Sequence, residues 1–172
     1  PALGGLSFLL RSTGIAFNEV AIHHARDPHS IAPLRTFAIL MGTALSLFTV
    51  FFATSPGAEL WYGDLLGLNA EMVNLAKNAT WAIIPLPLTS FLASYWQGFL
   101  VDQHRTRAVS EGVAVGLFAT IVTLVVFATA DWTSGAFGAS LALSLGGAAQ
   151  CVWLWWRTRD LTSGDGAGTH RA

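Results

Sequence analysis

Charged side chains are scarce in this chain of 172 residues. Asp, Glu, Lys and Arg make up only 11% of it, whereas soluble domains carry about 25%. Apolar residues make up 53%, and so short a chain has too much surface per core atom to bury them all in one soluble core. The nine basic and ten acidic residues nearly balance, so no positive excess indicates a nucleic-acid partner. The composition therefore excludes an ordinary soluble domain.

Cysteine, metal ligands and catalytic motifs are equally sparse. The lone Cys151 excludes a disulfide framework and a zinc site built from cysteines. His23, His24 and His29 cluster near Asp27, but prolines break this segment, and a metal site needs fixed geometry with three or four ligands. There is no G-x-S-x-G motif, nucleotide-binding loop or pair of catalytic carboxylates. The sequence therefore predicts neither an enzyme nor a bound cofactor or metal.

Four long stretches contain no charged residue at all. They cover residues 36–58, 78–101, 112–130 and 132–156. Each is long enough for a helix to cross the hydrocarbon core of a bilayer, which takes roughly 20 apolar residues. A fifth stretch, residues 3–22, carries Arg11 and Glu19 but is otherwise apolar. The apolar residues are contiguous and do not alternate, which favours helices over strands.

The predicted fold class is an all-α, polytopic membrane helix bundle. We expect five transmembrane helices, at Leu3–His23, Arg35–Thr54, Asn78–Val101, Val109–Ala130 and Gly135–Trp156. Between the second and third, the mixed residues of Glu59–Lys77 predict a short amphipathic helix on the membrane surface. Residues 1–160 form the bundle, and residues 161–172, rich in Gly, Ser, Thr and Asp, form a flexible tail.

Basic residues are distributed unevenly between the two ends of the predicted helices. One set of joints holds Arg26, Arg35, Arg105, Arg107, Arg157, Arg159 and Arg171, whereas the opposite set holds only Lys77. An excess of Lys and Arg marks the cytoplasmic side of a membrane protein. We therefore expect an integral protein of the plasma membrane, in bacteria the inner membrane, with a cytoplasmic C-terminus and the lipid bilayer as its partner.

Polar residues within the first predicted helix are candidates for a substrate pathway. Ser7, Arg11, Gly14 and Asn18 are spaced so that they share one helix face, with Glu19 beside Asn18. A charge at mid-membrane costs roughly 2.5–3.5 kcal/mol, so it normally faces a cavity or a partner. Arg11 therefore either meets an anionic substrate or forms a structural salt bridge with a helix outside this chain.

Two further polar residues complete the set of tentative pathway residues. Gln97 follows several hydroxyl groups on the third predicted helix and offers an amide to a pathway. Glu111 lies near the cytoplasmic boundary, where it either binds a proton or is a solvated carboxylate that complements the helix dipole.

Prolines and small residues predict how the helices bend and pack. Pro85 and Pro87 remove backbone hydrogen bonds within the third span, so they predict a kink or a broken turn. That break is either a hinge of a transporter or a purely structural bend. Small residues at steps of four let helix backbones approach closely in lipid. The predicted packing residues are Gly112, Gly116, Gly138, Ala142 and Gly146.

The order of these features resembles a known superfamily. The short joint His23–Asp27, the helix end Gln97–Leu100 and the hairpin start Gly135–Ser140 are similar to the C-terminal half of the multidrug/oligosaccharidyl-lipid/polysaccharide (MATE-like) exporters. Within that superfamily, Ser55-Pro56 and Ile84–Thr89 resemble the progressive ankylosis family, which is associated with export of pyrophosphate and other small polyanions.

The resemblance implies a transporter of about twelve helices in two halves that works by alternating access. This chain, which opens on Pro1, is then expected to supply the last five helices, with the N-terminal half of the same transporter as its partner. The implied substrate is a small anionic or lipid-linked solute. The alternatives are a non-transporting membrane scaffold or, among transporters, a polysaccharide-lipid flippase or a cation-coupled drug exporter. Arg11, Asn18 and Glu19 favour transport, because a scaffold needs no charge inside the bundle.

Overall fold

The computed structural model describes residues 2–24, 29–130 and 134–164, which form helices and contain no strand. The expectation of an all-α chain is confirmed for these residues. The helices are α1 (Ala2–His24), α2 (Ile31–Thr54), α3 (Gly57–Glu59), α4 (Ala70–Ala82), α5 (Leu86–Asp102), α6 (Thr106–Ala130) and α7 (Gly135–Gly164). A π-helical segment, Leu60–Leu65, continues directly from α3.

Among the described residues, three helices are long and apolar enough to cross a membrane. These segments are Ile31–Thr54, Thr106–Thr129 and Gly135–Arg159. Only 11% of the most apolar part of the α6 segment is buried inside the bundle, and Phe118 on that helix is 70% exposed. Such an exposed apolar surface is typical of a helix that faces lipid, so these three helices are compatible with an integral membrane protein.

The third span, predicted over Asn78–Val101, is divided at the predicted break and begins earlier than predicted. Two helices, α4 and α5, replace it, and a turn at residues 83–85 separates them. α4 already begins at Ala70, where the side chain of Asn69 accepts a hydrogen bond from the Met72 backbone N–H at 2.9 Å. This N-cap satisfies a donor that the first turn otherwise leaves unpaired, so the helix starts inside the segment that we assigned to a surface helix.

The break between α4 and α5 lies where the prolines predict it. Pro85 has no backbone N–H, and the Leu86 N–H bonds to the Ile83 carbonyl at 3.0 Å, one residue closer than in a regular helix. The Ala82 carbonyl therefore loses its helical partner. The Ser144 hydroxyl of α7 donates to that carbonyl at 2.5 Å. A side chain of a neighbouring helix thus satisfies the carbonyl that the broken turn leaves without a helical donor.

α5 is the central helix and packs against α1, α2 and α7, whereas α6 packs mainly against α7. Glycines allow these close contacts. A Cβ atom at Gly98 would lie 2.7 Å from the Ala21 Cβ atom, and one at Gly42 would lie 2.8 Å from the Leu88 Cα atom. α5 therefore touches α1 and α2 nearly backbone to backbone, which is typical of helix packing in lipid.

The predicted small-residue stripes of α6 and α7 face each other. A Cβ atom at Gly112 would lie 2.9 Å from Leu154, and one at Gly116 would lie 3.0 Å from the Gly146 carbonyl oxygen. Ala142 is fully buried, and a Cβ atom at Gly138 would lie 3.1 Å from Phe127. The two helices therefore form a close antiparallel hairpin.

The predicted tail is partly helical. α7 extends to Gly164, four residues beyond the predicted bundle boundary at residue 160. Residues 165–172, which include Arg171, lie outside the described residues, as do Arg26 and Asp27 in the first joint.

Candidate functional site

A groove of about 270 Å³ lies where α1, α5, α6 and α7 meet. Its polar lining residues are Arg11, Thr89, Ser90, Ser94, Gln97, Thr120 and Gln150. Apolar side chains such as Ile15, Val113 and Leu143 complete the walls, and Gly116, Gly146 and Gly147 expose bare backbone to it. Among the described residues, the lining therefore combines one cation with neutral hydroxyl and amide groups and contains no carboxylate.

Arg11 is the one charged residue among the described residues that line the groove. Its side chain is exposed, and its guanidinium group forms no ion pair or hydrogen bond with any residue of the described ranges. The Ser90 hydroxyl donates to the Arg11 backbone carbonyl at 3.2 Å, and Gly14 lets Ser90 approach because a Cβ atom there would overlap the hydroxyl. This contact fixes the backbone of α1 against α5, so Arg11 has a defined position while its five N–H donors stay available.

The polar face of α5 starts at the helix break. Thr89 donates to the carbonyls of Pro85 and Leu86, both at 3.1 Å, so its hydroxyl satisfies the first turn after the break. Ser90, Ser94 and Gln97 follow at steps of four and three, which places them on one helix face. The sequence of α5 therefore aligns three neutral polar groups along the groove.

The structure brings only part of the predicted pathway together. Arg11 and Gln97 both line the groove, whereas Asn18, Glu19 and Glu111 lie outside it. The amide oxygen of Asn18 is buried without a hydrogen-bond partner in the described residues. Glu19 is exposed on α1, because it is rotated away from the face that carries Arg11.

Glu111 instead joins the start of α6 to the end of α7. Its Oε1 atom lies 3.2 Å from Arg107 Nε, and its Oε2 atom lies 2.8 Å from Arg157 Nη2. The carboxylate is 29% exposed, so solvent screens these pairs only in part. With both oxygens bound to arginines, Glu111 is better suited to hold the two helices together than to line a pathway.

Two groove residues were not among the predicted pathway residues. Thr120 and Gln150 continue the small-residue stripes of α6 and α7, so their spacing indicated helix packing. A Cβ atom at Gly116 would lie 3.0 Å from the Gln150 Cβ atom, which shows that Gln150 also takes part in that packing. The small-residue stripes of α6 and α7 run along one edge of the groove. Thr120 and Gln150 therefore belong both to the α6–α7 contact and to the groove lining.

Metal ligands do not come together in the part of the chain that the structure describes. No three His, Cys, Asp or Glu side chains there are placed to hold a metal ion. Pro85 lies at the start of α5, and Pro87 is buried in its first turn. The break therefore lies beside the groove end that Leu86 and Thr89 form.

Comparisons with protein-family models, curated proteins and solved structures find no match for this chain. What the groove binds must therefore be argued from its own residues. One guanidinium among neutral donors and acceptors is suited to an anion, because arginine presents a planar fork that matches carboxylate and phosphate oxygens.

Proposed function

We propose that this chain is part of a secondary membrane transporter that moves a small anionic or lipid-linked solute by alternating access. One observation carries the proposal: Arg11 faces a polar groove and has no partner among the described residues. An arginine that faced lipid would be costly, whereas an arginine in a wet groove binds an anion by charge-assisted hydrogen bonds. A membrane scaffold, the second class that the sequence allows, needs no such group.

The proposal includes five membrane crossings, with α1 as the first and α4 together with α5 as the third. α1 has 23 residues, which is enough to cross a bilayer, and one of its two charged residues, Arg11, faces the groove. α5 alone has 17 residues and is short for a crossing, but α4 precedes it across the broken turn. The arginine-rich helix ends then face the cytoplasm, so the C-terminus is cytoplasmic in the plasma membrane.

Alternating access needs a wall of the groove that can move. α5 carries Ser90, Ser94 and Gln97, and its first residue follows the break at residues 83–85. Pro85 and Pro87 prevent that break from closing into a regular helix, so it is the hinge of the proposed motion. The N-terminal half expected from the resemblance to MATE-like exporters supplies the opposite wall.

The test is transport by the intact protein in vesicles, with Arg11→Gln as the variant. Labelled pyrophosphate serves as the small anion, and a fluorescent lipid-linked phosphate serves as the amphiphilic one. Loss of one charge-assisted hydrogen bond of roughly 1.5–3 kcal/mol should reduce transport of the accepted substrate by at least tenfold. Arg11→Lys should retain part of the activity, because it keeps the charge and loses only the planar fork.

The matched control is Arg105→Gln, which removes an exposed charge in the loop between α5 and α6. Its charge is screened by solvent, so its transport should match that of the unmodified protein. Normal transport by Arg11→Gln would refute the anion site. Failure of Arg11→Gln to accumulate, with normal accumulation of Arg105→Gln, would instead assign Arg11 to a structural ion pair.

A further inference from the structure

A second polar surface lies on the opposite side of α5 from the groove. It consists of two adjoining pockets, of about 500 Å³ and 190 Å³, where the start of α2 meets α5 and the end of α7. Ile31 and Tyr95 line both pockets, so together they form one depression, which we call the arginine depression. Arg35 lines one pocket and Arg159 lines the other, and the described lining residues of both pockets differ from those of the groove.

Aromatic side chains build the wall of the arginine depression. The rings of Tyr95 and Trp96 pack edge to face with centroids 4.7 Å apart, and Tyr95 is almost fully buried. The guanidinium carbon of Arg159 lies 4.7 Å from the centre of the half-exposed Trp155 ring. This cation–π contact orients the guanidinium plane, whose five N–H donors allow several partners at once.

The position of the arginine depression indicates which class of ligand it can bind. It lies at the arginine-rich ends of the helices, beside the exposed apolar residue Ile39 of α2. In a bilayer this level is the boundary where phosphate groups meet acyl chains, and tryptophan is enriched there. A ligand with a negative head and an apolar tail matches both the arginines and the aromatic wall.

We propose that the arginine depression binds an anionic phospholipid. Its phosphate accepts hydrogen bonds from Arg35 and Arg159, and one acyl chain lies along the wall formed by Trp96, Phe99 and Trp155. Basic pockets between helices on the cytoplasmic side are known to bind anionic head groups in this way. The site depends on membrane insertion and not on transport, because it shares no residue with the groove.

The experiment measures tryptophan quenching in the intact protein, reconstituted in phosphatidylcholine vesicles. One sample contains phosphatidylglycerol brominated on its acyl chains, and the other contains the same amount of brominated phosphatidylcholine. Because Trp96 and Trp155 line the site, the anionic brominated lipid should quench more strongly. Arg35→Gln and Arg159→Gln should each weaken the preference for phosphatidylglycerol by about fivefold.

Arg105→Gln is the matched control, since Arg105 is an exposed arginine that lines neither pocket. It should keep the full preference. Equal quenching by both lipids in the unmodified protein would overturn the proposal. An equal loss in Arg105→Gln and Arg159→Gln would also overturn it, because the attraction would then come from diffuse surface charge.

A competition measurement on the unmodified protein keeps the test independent of how well the variants fold. Inorganic phosphate should not restore the fluorescence quenched by brominated phosphatidylglycerol, because it lacks the chain that contacts the aromatic wall. Recovery of the fluorescence with phosphate would show that the depression binds a free anion and would refute the lipid site.

Discussion

Replacement of Ser144 by alanine tests whether α7 stabilises the break between α4 and α5. The Ser144 hydroxyl is the donor to the Ala82 carbonyl at 2.5 Å, and that carbonyl has lost its helical partner. Ser144 is 2% exposed and Ala82 is 6% exposed, so water cannot replace the hydroxyl without a rearrangement. Ser144→Ala should therefore leave a buried acceptor without a donor.

The expected loss of stability follows from two magnitudes. A hydrogen bond between helices in a membrane contributes about 0.6 kcal/mol on average and up to about 1.7 kcal/mol. An unsatisfied buried acceptor costs about 1–3 kcal/mol. Because both ends of this bond are buried, we expect Ser144→Ala to lower the free energy of unfolding by about 1.5 kcal/mol.

Unfolding by sodium dodecyl sulfate in mixed micelles, followed by tryptophan fluorescence, measures this loss. Ser140→Ala is the matched control, since Ser140 lies one turn earlier in α7, is 5% exposed and forms no hydrogen bond within the described residues. The control should change stability by less than about 0.5 kcal/mol. Equal losses for the two variants would refute the role of the Ser144 hydroxyl.

The same Ser144→Ala substitution in a variant without the two prolines separates the effect of the hydrogen bond from that of packing. With Pro85→Ala and Pro87→Ala, backbone N–H groups return and the Leu86 N–H can turn to the Ala82 carbonyl. Ser144→Ala should then cost less than in the unmodified protein, with a coupling energy of about 0.5–1 kcal/mol. Strict additivity would mean that the prolines do not create the acceptor that Ser144 satisfies.

Three further predictions concern the contacts between helices. Gly146→Ala should lower the free energy of unfolding by about 1–3 kcal/mol, because the added methyl group would overlap α6. Gly135→Ala is the control and should not lower it, because no described atom outside its own helical turn lies within 4 Å of the added methyl group. Equal stability of the two variants in detergent unfolding would refute the close contact. Glu111→Gln should lower the free energy of unfolding by about 1 kcal/mol in low salt and by less in high salt, since it removes two partly exposed ion pairs. A loss of stability that does not depend on salt would contradict this prediction. The hydrogen bond and charge of Lys77 lower the pKa of Glu59 below 4.5, so their pair stabilises α3 above that pH and is lost as the pH falls through the lowered pKa. The protection of the α3 amides against hydrogen exchange, taken relative to the intrinsic exchange rate at each pH, should then fall in acid, whereas in Glu59→Gln it should be low at every pH.

The sequence was sufficient to locate the long apolar helices. A helix that crosses a bilayer needs about 20 mostly apolar residues, and the charge-free stretches make up most of α2, α6 and α7. The break near Pro85 was predictable as well, because a missing N–H group acts locally. The start of α4 at Ala70 was missed, although Asn69 and Glu71 carry the signal of a helix start. That signal lies among mixed residues whose hydropathy also fits a surface helix.

The position of a site residue was predictable from the sequence only where the periodicity of its own helix determines the face on which it lies. Periodicity placed Arg11 on one face of α1 and Gln97 on the polar face of α5, and both line the groove. The contact of Ser90 with the Arg11 carbonyl joins residues far apart in the chain, and no local pattern encodes it. The same holds for Glu111, whose partner Arg157 comes from another helix.

The hairpin of α6 and α7 is fixed at both ends and in the middle. α6 and α7 follow one another in the chain, the Glu111–Arg157 ion pair joins them at the end far from that connection, and glycine contacts hold them between. We therefore expect α6 and α7 to behave as one rigid pair. The groove lies between this hairpin on one side and α1 and α5 on the other. We therefore expect the width of the groove to change when α1 or α5 moves against the hairpin, while the contacts inside the hairpin stay unchanged.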